Sequence, residues 1–217
     1  MSVLRDPKLE RLLDRLHAES DAQVPAMRDY FSTQRQPDGG ELKSFWADKL
    51  VALDRDKAEF CYQLCRALNA RRIVEIGTSH GVSTLYLAAA LRDNITAGGG
   101  GGRVIGTEHE PGKAQIARGH FAEAGVEDLI ELREGDLRET LKTLDGPVDF
   151  LLMDIWIPMA RPALELVAPH LRPGAILVTD NTGIHRDDYR DYLADLAQGF
   201  RTMTLPFRGG LELSVRE

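Results

Sequence analysis

Five short apolar runs along this chain each close on an acid. VEIG carries Glu75 and Gly77, GTEHE carries Glu108 with His109 behind it, and LREGD ends on Gly135 and Asp136. LLMDIW holds Asp154 with Trp156 two residues on, and LVTDN ends on Asp180 and Asn181. A single polar strand end means little, because strand ends reach solvent. Acids gathered along one edge can hold a cation, accept hydrogen bonds from hydroxyls or steer a proton. The first run continues as VEIGTSHGVST, with Gly77 and Gly81 four apart and the hydroxyls of Ser83 and Thr84 next. Gly77 permits a tight turn, and Gly81 lets the backbone approach a ligand closely. The helix that follows offers free backbone N–H groups at its start.

The elements that must position these acids alternate. RIVEIG, RVIGTEHE, LIELREGD, VDFLLMD and AILVTDN read as strands. Between them VSTLYLAAALRD, PGKAQIARGHFAEAG, a short LRETLKTL and MARPALELVAPHL read as helices. This β-α-β-α order predicts an α/β fold, a mostly parallel sheet with helices on both faces. A helix in RDDYRDYLADLA and two last strands, RTMTLPF and LELSVRE, follow, with Arg208-Gly209-Gly210 as a hairpin turn. In such a sheet ligands bind beyond the carboxyl ends of the strands, where the strand order reverses. That is the edge on which the acids fall. Residues 1–70 read as helical, punctuated by Pro25 and by QPDGG, with a longer helix from about Asp54 to Ala70. They are expected to form a cap or an oligomerisation arm, and 71–217 the ligand-binding domain. The five glycines from Gly98 to Gly102 read as a flexible loop, since they precede a strand and open no helix.

Composition narrows the function. The 217 residues carry a net charge of −7 with a pI near 5.4, against the basic surplus that nucleic-acid binding favours. No apolar run approaches the roughly 18 residues of a membrane span, and the charged N-terminus lacks a signal core. A soluble, cytoplasmic chain without nucleic-acid or membrane partners is expected. Cys61 and Cys65 fall on one helical face with no second pair to complete a metal site, and are expected to be buried core residues.

The turn itself limits the ligand. A nicotinamide cofactor usually asks for G-x-G-x-x-G, since its pyrophosphate lies against the helix. Here the spacing is G-x-x-x-G, and Glu75 would repel a pyrophosphate. An acid suits a cationic ligand such as S-adenosylmethionine, which has a sulfonium, an ammonium and a ribose diol but no phosphate. Glu108 is placed for ribose hydroxyls and Asp136 for the adenine amino group.

With VEIGTSHGVST, GTEHEP, EGDLRETL, FLLMDIW, LVTDN and the ending LPFRGGLELSV in hand, the chain resembles the class I S-adenosylmethionine-dependent methyltransferases. More narrowly it resembles their catechol O-methyltransferase-like family. The resemblance implies a Rossmann-like, seven-stranded, mostly parallel sheet with a C-terminal antiparallel hairpin. It implies transfer of a methyl group to a hydroxyl of a small, catechol-like acceptor, in a homodimer. Glu75, Gly77 and Ser79 would line the methionine portion of the cofactor, with Ser83 near its carboxylate and Thr78 and Gly81 in the same turn. Glu108 would hold the ribose and His109 would pack on adenine. Asp136, beside Gly135, would bind the adenine amino group, and Trp156 would border cofactor and acceptor. Asp154, Asp180 and Asn181 would hold one divalent cation, Mg²⁺ by its oxygen ligands. The cation would acidify and orient the acceptor hydroxyl, with Asp154 among the catalytic residues.

Two positions depart from the pattern. The lysine that serves as base after D-x-W in the catechol enzymes is Ile157 here, and no acid lies between Phe200 and Gly210. His185, four residues past Asn181, is the candidate substitute base, against the alternative of an exposed loop histidine. Trp156 has the alternative of plain core. Asp180 and Asn181 have the alternative of capping the next helix in a metal-free site. A metal-independent methyltransferase and a non-catalytic cofactor-binding protein therefore stay open.

Overall fold

Runs buried on both faces fold as parallel strands when helices cover both sides. The computed structural model describes residues 3–33, 39–183 and 185–217. In it the five acid-ending runs become β1 (Arg72–Ile76), β2 (Arg103–Glu108), β3 (Ile130–Glu134), β4 (Val148–Met153) and β5 (Leu171–Asp180). The closing pair is β6 (Phe200–Leu205) and β7 (Leu211–Arg216). They form one seven-stranded sheet in the order β3-β2-β1-β4-β5-β7-β6. The first five strands are parallel, and β7 lies antiparallel between β5 and β6. The order reverses at β1, which pairs with β2 on one side and β4 on the other.

The helices are α1 (Pro7–Thr33), α2 (Gly39–Trp46), α3 (Arg55–Ala67), α4 (Val82–Gly98), α5 (Pro111–Ala124), α6 (Leu137–Thr140), α7 (Ile157–Val167) and α8 (Arg186–Ala194). Alternate strand residues feed two cores. Ile73, Phe150 and Val178 pack with α1, α3, α4 and α5 on one face. Val74, Leu151 and Leu177 pack with α7 and α8 on the other. Leu9, Leu13 and Leu16 of α1 and Cys61 and Cys65 of α3 belong to the first core, so the N-terminal helices bury their apolar stripes against the sheet layer. Each fully buried leucine is worth about 2 kcal/mol. α4 is buried without a break from Val82 to Leu91, which is why its sequence is apolar all round.

Three expectations need correction. Pro25 does not interrupt the chain: α1 runs through it. Proline removes one donor and crowds the carbonyl four residues back. Pro25 and Asp21 both lie exposed, so water can take up that carbonyl. The glycine run is less loop than expected, since Gly98 still belongs to α4, and Gly99 and Gly100 turn the chain at φ 66° and 80°. α7 begins at Ile157, directly after Trp156, so the tryptophan stands at a helix start. The QPDGG turn falls partly on 34–38, outside the described residues. Among the described residues no helix is long and apolar enough to cross a membrane.

Candidate active site

The turn from β1 into α4 is built around a buried carboxylate. Glu75 is fully buried and accepts hydrogen bonds from Thr78 Oγ1 at 2.9 Å and Ser83 Oγ at 2.6 Å, and another from Thr84 Oγ1. Burial raises its pKa, and the three hydroxyls work against that rise. Gly106 of β2 makes room for this cluster, because a Cβ there would stand 2.4 Å from Thr78 Oγ1. The hydroxyls that follow the glycines are therefore turned inward to Glu75, and they do not form an open phosphate cradle.

Backbone geometry sets the rest of the turn. Gly77, Ser79 and Gly81 have φ of 96°, 50° and 83°. Gly77 is wedged against β4, where a Cβ would lie 2.0 Å from the Asp154 carbonyl oxygen. Gly81 makes its close approach to the Phe121 ring of α5, at 2.5 Å from a built Cβ. Its lack of a side chain serves helix packing, where the sequence suggested approach to a ligand. Ser79 donates its backbone N–H to Glu108 Oε2 at 2.7 Å, tying the ends of β1 and β2 together. Glu110 donates its N–H to the other oxygen of Glu108 at 2.8 Å. Ser79 Oγ and His80 Nε2 are buried without a partner. Buried polar atoms usually have one. An unpaired hydroxyl in the turn expected to receive the cofactor fits a group with hydrogen-bonding oxygens, such as the methionine portion of S-adenosylmethionine. Burial also holds the His80 ring down at a pKa of about 4, so it is neutral at physiological pH.

Along the same edge, Gly135 turns at φ 116° and donates its N–H to the Glu108 carbonyl at 2.8 Å. Asp136 caps α6 by accepting from the Arg138 N–H at 2.9 Å, and its carboxylate also meets the Arg138 guanidinium. That guanidinium pulls its pKa down to about 2. Arg138 therefore already holds the acid expected to meet adenine. His109 is exposed beside it.

The acids of β4 and β5 converge on a residue absent from the expected set. Lys57 of α3 reaches under the sheet edge and places its Nζ 2.6 Å from Asp180 Oδ1 and 3.3 Å from Asp54 Oδ2. Its side chain is 2% exposed and that of Asp180 6%. Asn181, at φ 59°, donates from Nδ2 to Asp154 Oδ1 at 3.3 Å. Burial raises the Asp154 carboxyl to about 8, helped by the charges of Asp180 and Glu75. Burial raises Asp180 as well, and its hydrogen bond to Lys57 opposes the rise. For Lys57 burial works downward, but the hydrogen bond and charge of Asp180 outweigh it and the ammonium is held on. Two contacts fasten α3 and its first flanking residue to the β6–β7 turn above this cluster, and Gly209 passes close by. Asp54 pairs with Arg208, Phe60 packs on Phe207 with ring centroids 5.5 Å apart, and a Cβ at Gly209 would lie 3.9 Å from Lys57 Nζ and 3.5 Å from Asn181 Oδ1.

Asp154, Asp180 and Asn181 are thus together, as expected, but one oxygen of Asp180 is already spent on an ammonium. With Lys57 in that position the cluster already holds one cation, against Asp180. Lys57 was legible in one respect. It lies with Ala58, Cys61, Tyr62 and Cys65 on the buried stripe of α3, and a lysine on an apolar stripe needs a buried acid.

Trp156 is 53% exposed and is not core. It stands at the start of α7, next to Asp154 in the chain. His185 opens α8 and faces Asp188 at 3.5 Å, on its own helix. Cys61 and Cys65 are buried free thiols. Burial, and then the charges of Asp180, Glu75 and Asp154, push the Cys61 thiol well up, so that this cysteine lies beneath the acid cluster. Both are expected to resist iodoacetamide at pH 8 in the folded protein and to react once it is denatured, which mass spectrometry reads directly.

Known proteins are similar to this chain in sequence and in fold. The family model described as "Methyltransferase domain" matches residues 74–182. A catechol O-methyltransferase of Mycobacterium tuberculosis is 34% identical over 132 residues, 60% of this chain and 57% of that protein. The chain thus spans little more than half the length of that curated relative. The O-methyltransferase TomG of Streptomyces achromogenes, solved in complex with SAM, superposes with a TM-score of 0.67 at 26% identity, covering 88% of this chain and 96% of that one. The O-methyltransferase of Bacillus cereus, solved with SAH, superposes with a TM-score of 0.68 at 22% identity, over 88% and 97%. At that identity the likeness is one of fold.

Proposed function

Since the chain belongs to the methyltransferase domain family, we propose that it transfers a methyl group from S-adenosylmethionine to a hydroxyl of a small aromatic acceptor. The observation that carries this reading is the β1–α4 turn. It sits at the strand-order reversal, is tied to β2 through Glu108, and holds a buried, unpartnered Ser79 hydroxyl.

When bound, S-adenosylmethionine supplies a methyl carbon activated by its sulfonium. The chain's part is to bind, orient and keep water out. Ser79 would donate to the methionine portion, with Thr78, Gly77 and Ser83 shaping the turn around Glu75. Glu108, already fixed by two N–H groups, has lone pairs left for ribose hydroxyls. His109 and Asp136 would flank the adenine, with Arg138 yielding some of its hold on Asp136. Trp156 would form a wall for an aromatic acceptor at the site's mouth. Held by Ser79 and Glu108, the cofactor would supply its methyl group for an in-line transfer to the acceptor oxygen, its sulfur keeping the electron pair of the broken carbon–sulfur bond. The hydroxyl proton leaves to a base. Asp154 at the mouth is the candidate within the cluster, while His185 lies at the start of α8 with Nδ1 3.5 Å from Asp188.

The expected divalent cation does not enter this reading, because Lys57 stands on Asp180. That contact favours the metal-independent alternative. Pairing of two chains through the 1–70 helices belongs to the same proposal.

The test is calorimetric titration with S-adenosylhomocysteine, followed by transfer of labelled methyl to vicinal diols and phenols. Saturable one-site binding is expected, and its absence would overturn the reading. Glu108→Ala releases both N–H groups and the ribose acceptor together. It is expected to weaken that binding by about 10- to 100-fold.

A further inference from the structure

We propose that Lys57 is the resident cation of the Asp154–Asp180–Asn181 cluster, so that its ammonium and a divalent metal ion exclude one another there. The inference rests on the methyl-transfer reading for its consequence, which is that transfer by this chain needs no added metal.

Charge and geometry carry it. Asp154 and Asp180 bring two carboxylates to one place, and Asp54 adds a third nearby. Arg208 takes Asp54 from the solvent side. Lys57 is left to serve Asp180, at 2.6 Å, from a stem packed one turn before Cys61 on the buried face of α3. A buried charge persists only when paired, and this pair is enclosed on both sides. The hairpin turn passes over it at Gly209, and beneath the Asp54–Arg208 and Phe60–Phe207 contacts the Lys57 side chain is only 2% exposed. A metal ion drawing on Asp180 would meet a like charge within a few ångströms and would have to strand the lysine. The site therefore keeps the geometry of a cation-binding cluster and fills it from within. Lys57 reaches no reacting atom, since it is almost wholly buried. It is a positioning residue, which fixes and neutralises Asp180 and leaves Asp154 and Asn181 to face the opening.

The test uses the full chain saturated with S-adenosylhomocysteine and Mn²⁺ as probe, read by electron paramagnetic resonance. The wild type is expected to hold no stoichiometric Mn²⁺. Lys57→Met is expected to hold one ion per chain, at least about 100-fold tighter. Adding Asp180→Asn to that variant is expected to abolish the gain. If Lys57→Met fails to fold, Lys57→Gln carries the same comparison, since it keeps the stem and a donor toward Asp180 but no charge. One Mn²⁺ bound tightly by the wild type and lost in Asp180→Asn would overturn the proposal. So would a Lys57 variant that folds and gains no ion. Binding of S-adenosylhomocysteine is measured separately on each protein. Its failure in the wild type would remove the methyl-transfer reading, while the Mn²⁺ comparison, repeated without it, would still decide the role of Lys57.

Discussion

Gly77→Ala is expected to cost about 3 kcal/mol or more of stability and to abolish cofactor binding. Two penalties act together. The residue sits at φ 96°, where a side chain is strained. Its Cβ would also lie 2.0 Å from the carbonyl oxygen of Asp154 and 3.0 Å from the carbonyl carbon, both backbone atoms that no rotamer change can move. Relief requires β1 and β4 to part where the Asp154 N–H donates to the Ile76 carbonyl at 3.0 Å. That is the strand-order reversal, so the strain falls on the crevice that receives the ligand. Thermal unfolding should drop by roughly 6–12 °C for a chain of this size. Gly119→Ala is the control: it lies within α5, a Cβ there meets nothing within 4 Å, and alanine favours helix. An unchanged or higher melting temperature for Gly119→Ala beside a normal one for Gly77→Ala would refute the wedge.

How much of this was legible in the sequence depends on the kind of interaction. The central strands β1, β2 and β4 were, because a run buried on both faces must be apolar throughout, and each closes near its acid. The place of the reversal, at β1, was not, because β-α-β-α order and right-handed crossovers leave several strand orders open. The continuity of α1 through Pro25 was not, because whether a lost hydrogen bond matters depends on which side faces water. Gly81 shows the same limit, since only the tertiary structure brings the Phe121 ring against it. Asp136 and His185 found partners two and three residues away, Arg138 and Asp188, that local spacing could have named. Lys57 was the largest omission. Its partner lies 123 residues on, and only the burial stripe of α3 hinted that a partner had to exist.

The consequences of that buried charge cluster can be read through pH. Asp154→Asn is expected to stabilise the cofactor-free protein by roughly 2–4 kcal/mol at pH 8.5, and scarcely at all at pH 4. Asp154 has its folded pKa raised from 3.8 to about 8, first by burial and then by the charges of Asp180 and Glu75. Below the unfolded value both states carry the proton and nothing is gained or lost. Between the two values the folded state binds the proton and the unfolded state does not, so stability falls as pH rises. Above the folded value both have released it, and the cost of an ionised carboxylate held beside Asp180 and Glu75 remains. Asparagine removes that cost while its carbonyl can still accept from Asn181 Nδ2, as Asp154 Oδ1 does at 3.3 Å. Urea unfolding of both proteins from pH 4 to 8.5 measures the difference, and effects of titrating groups remote from Asp154 cancel between them. Equal stability at pH 8.5 would mean that Lys57 neutralises Asp154 as well as Asp180. A difference that grows with pH would mean that the lysine serves Asp180 alone, leaving Asp154 a proton to take from an acceptor hydroxyl as the pH rises.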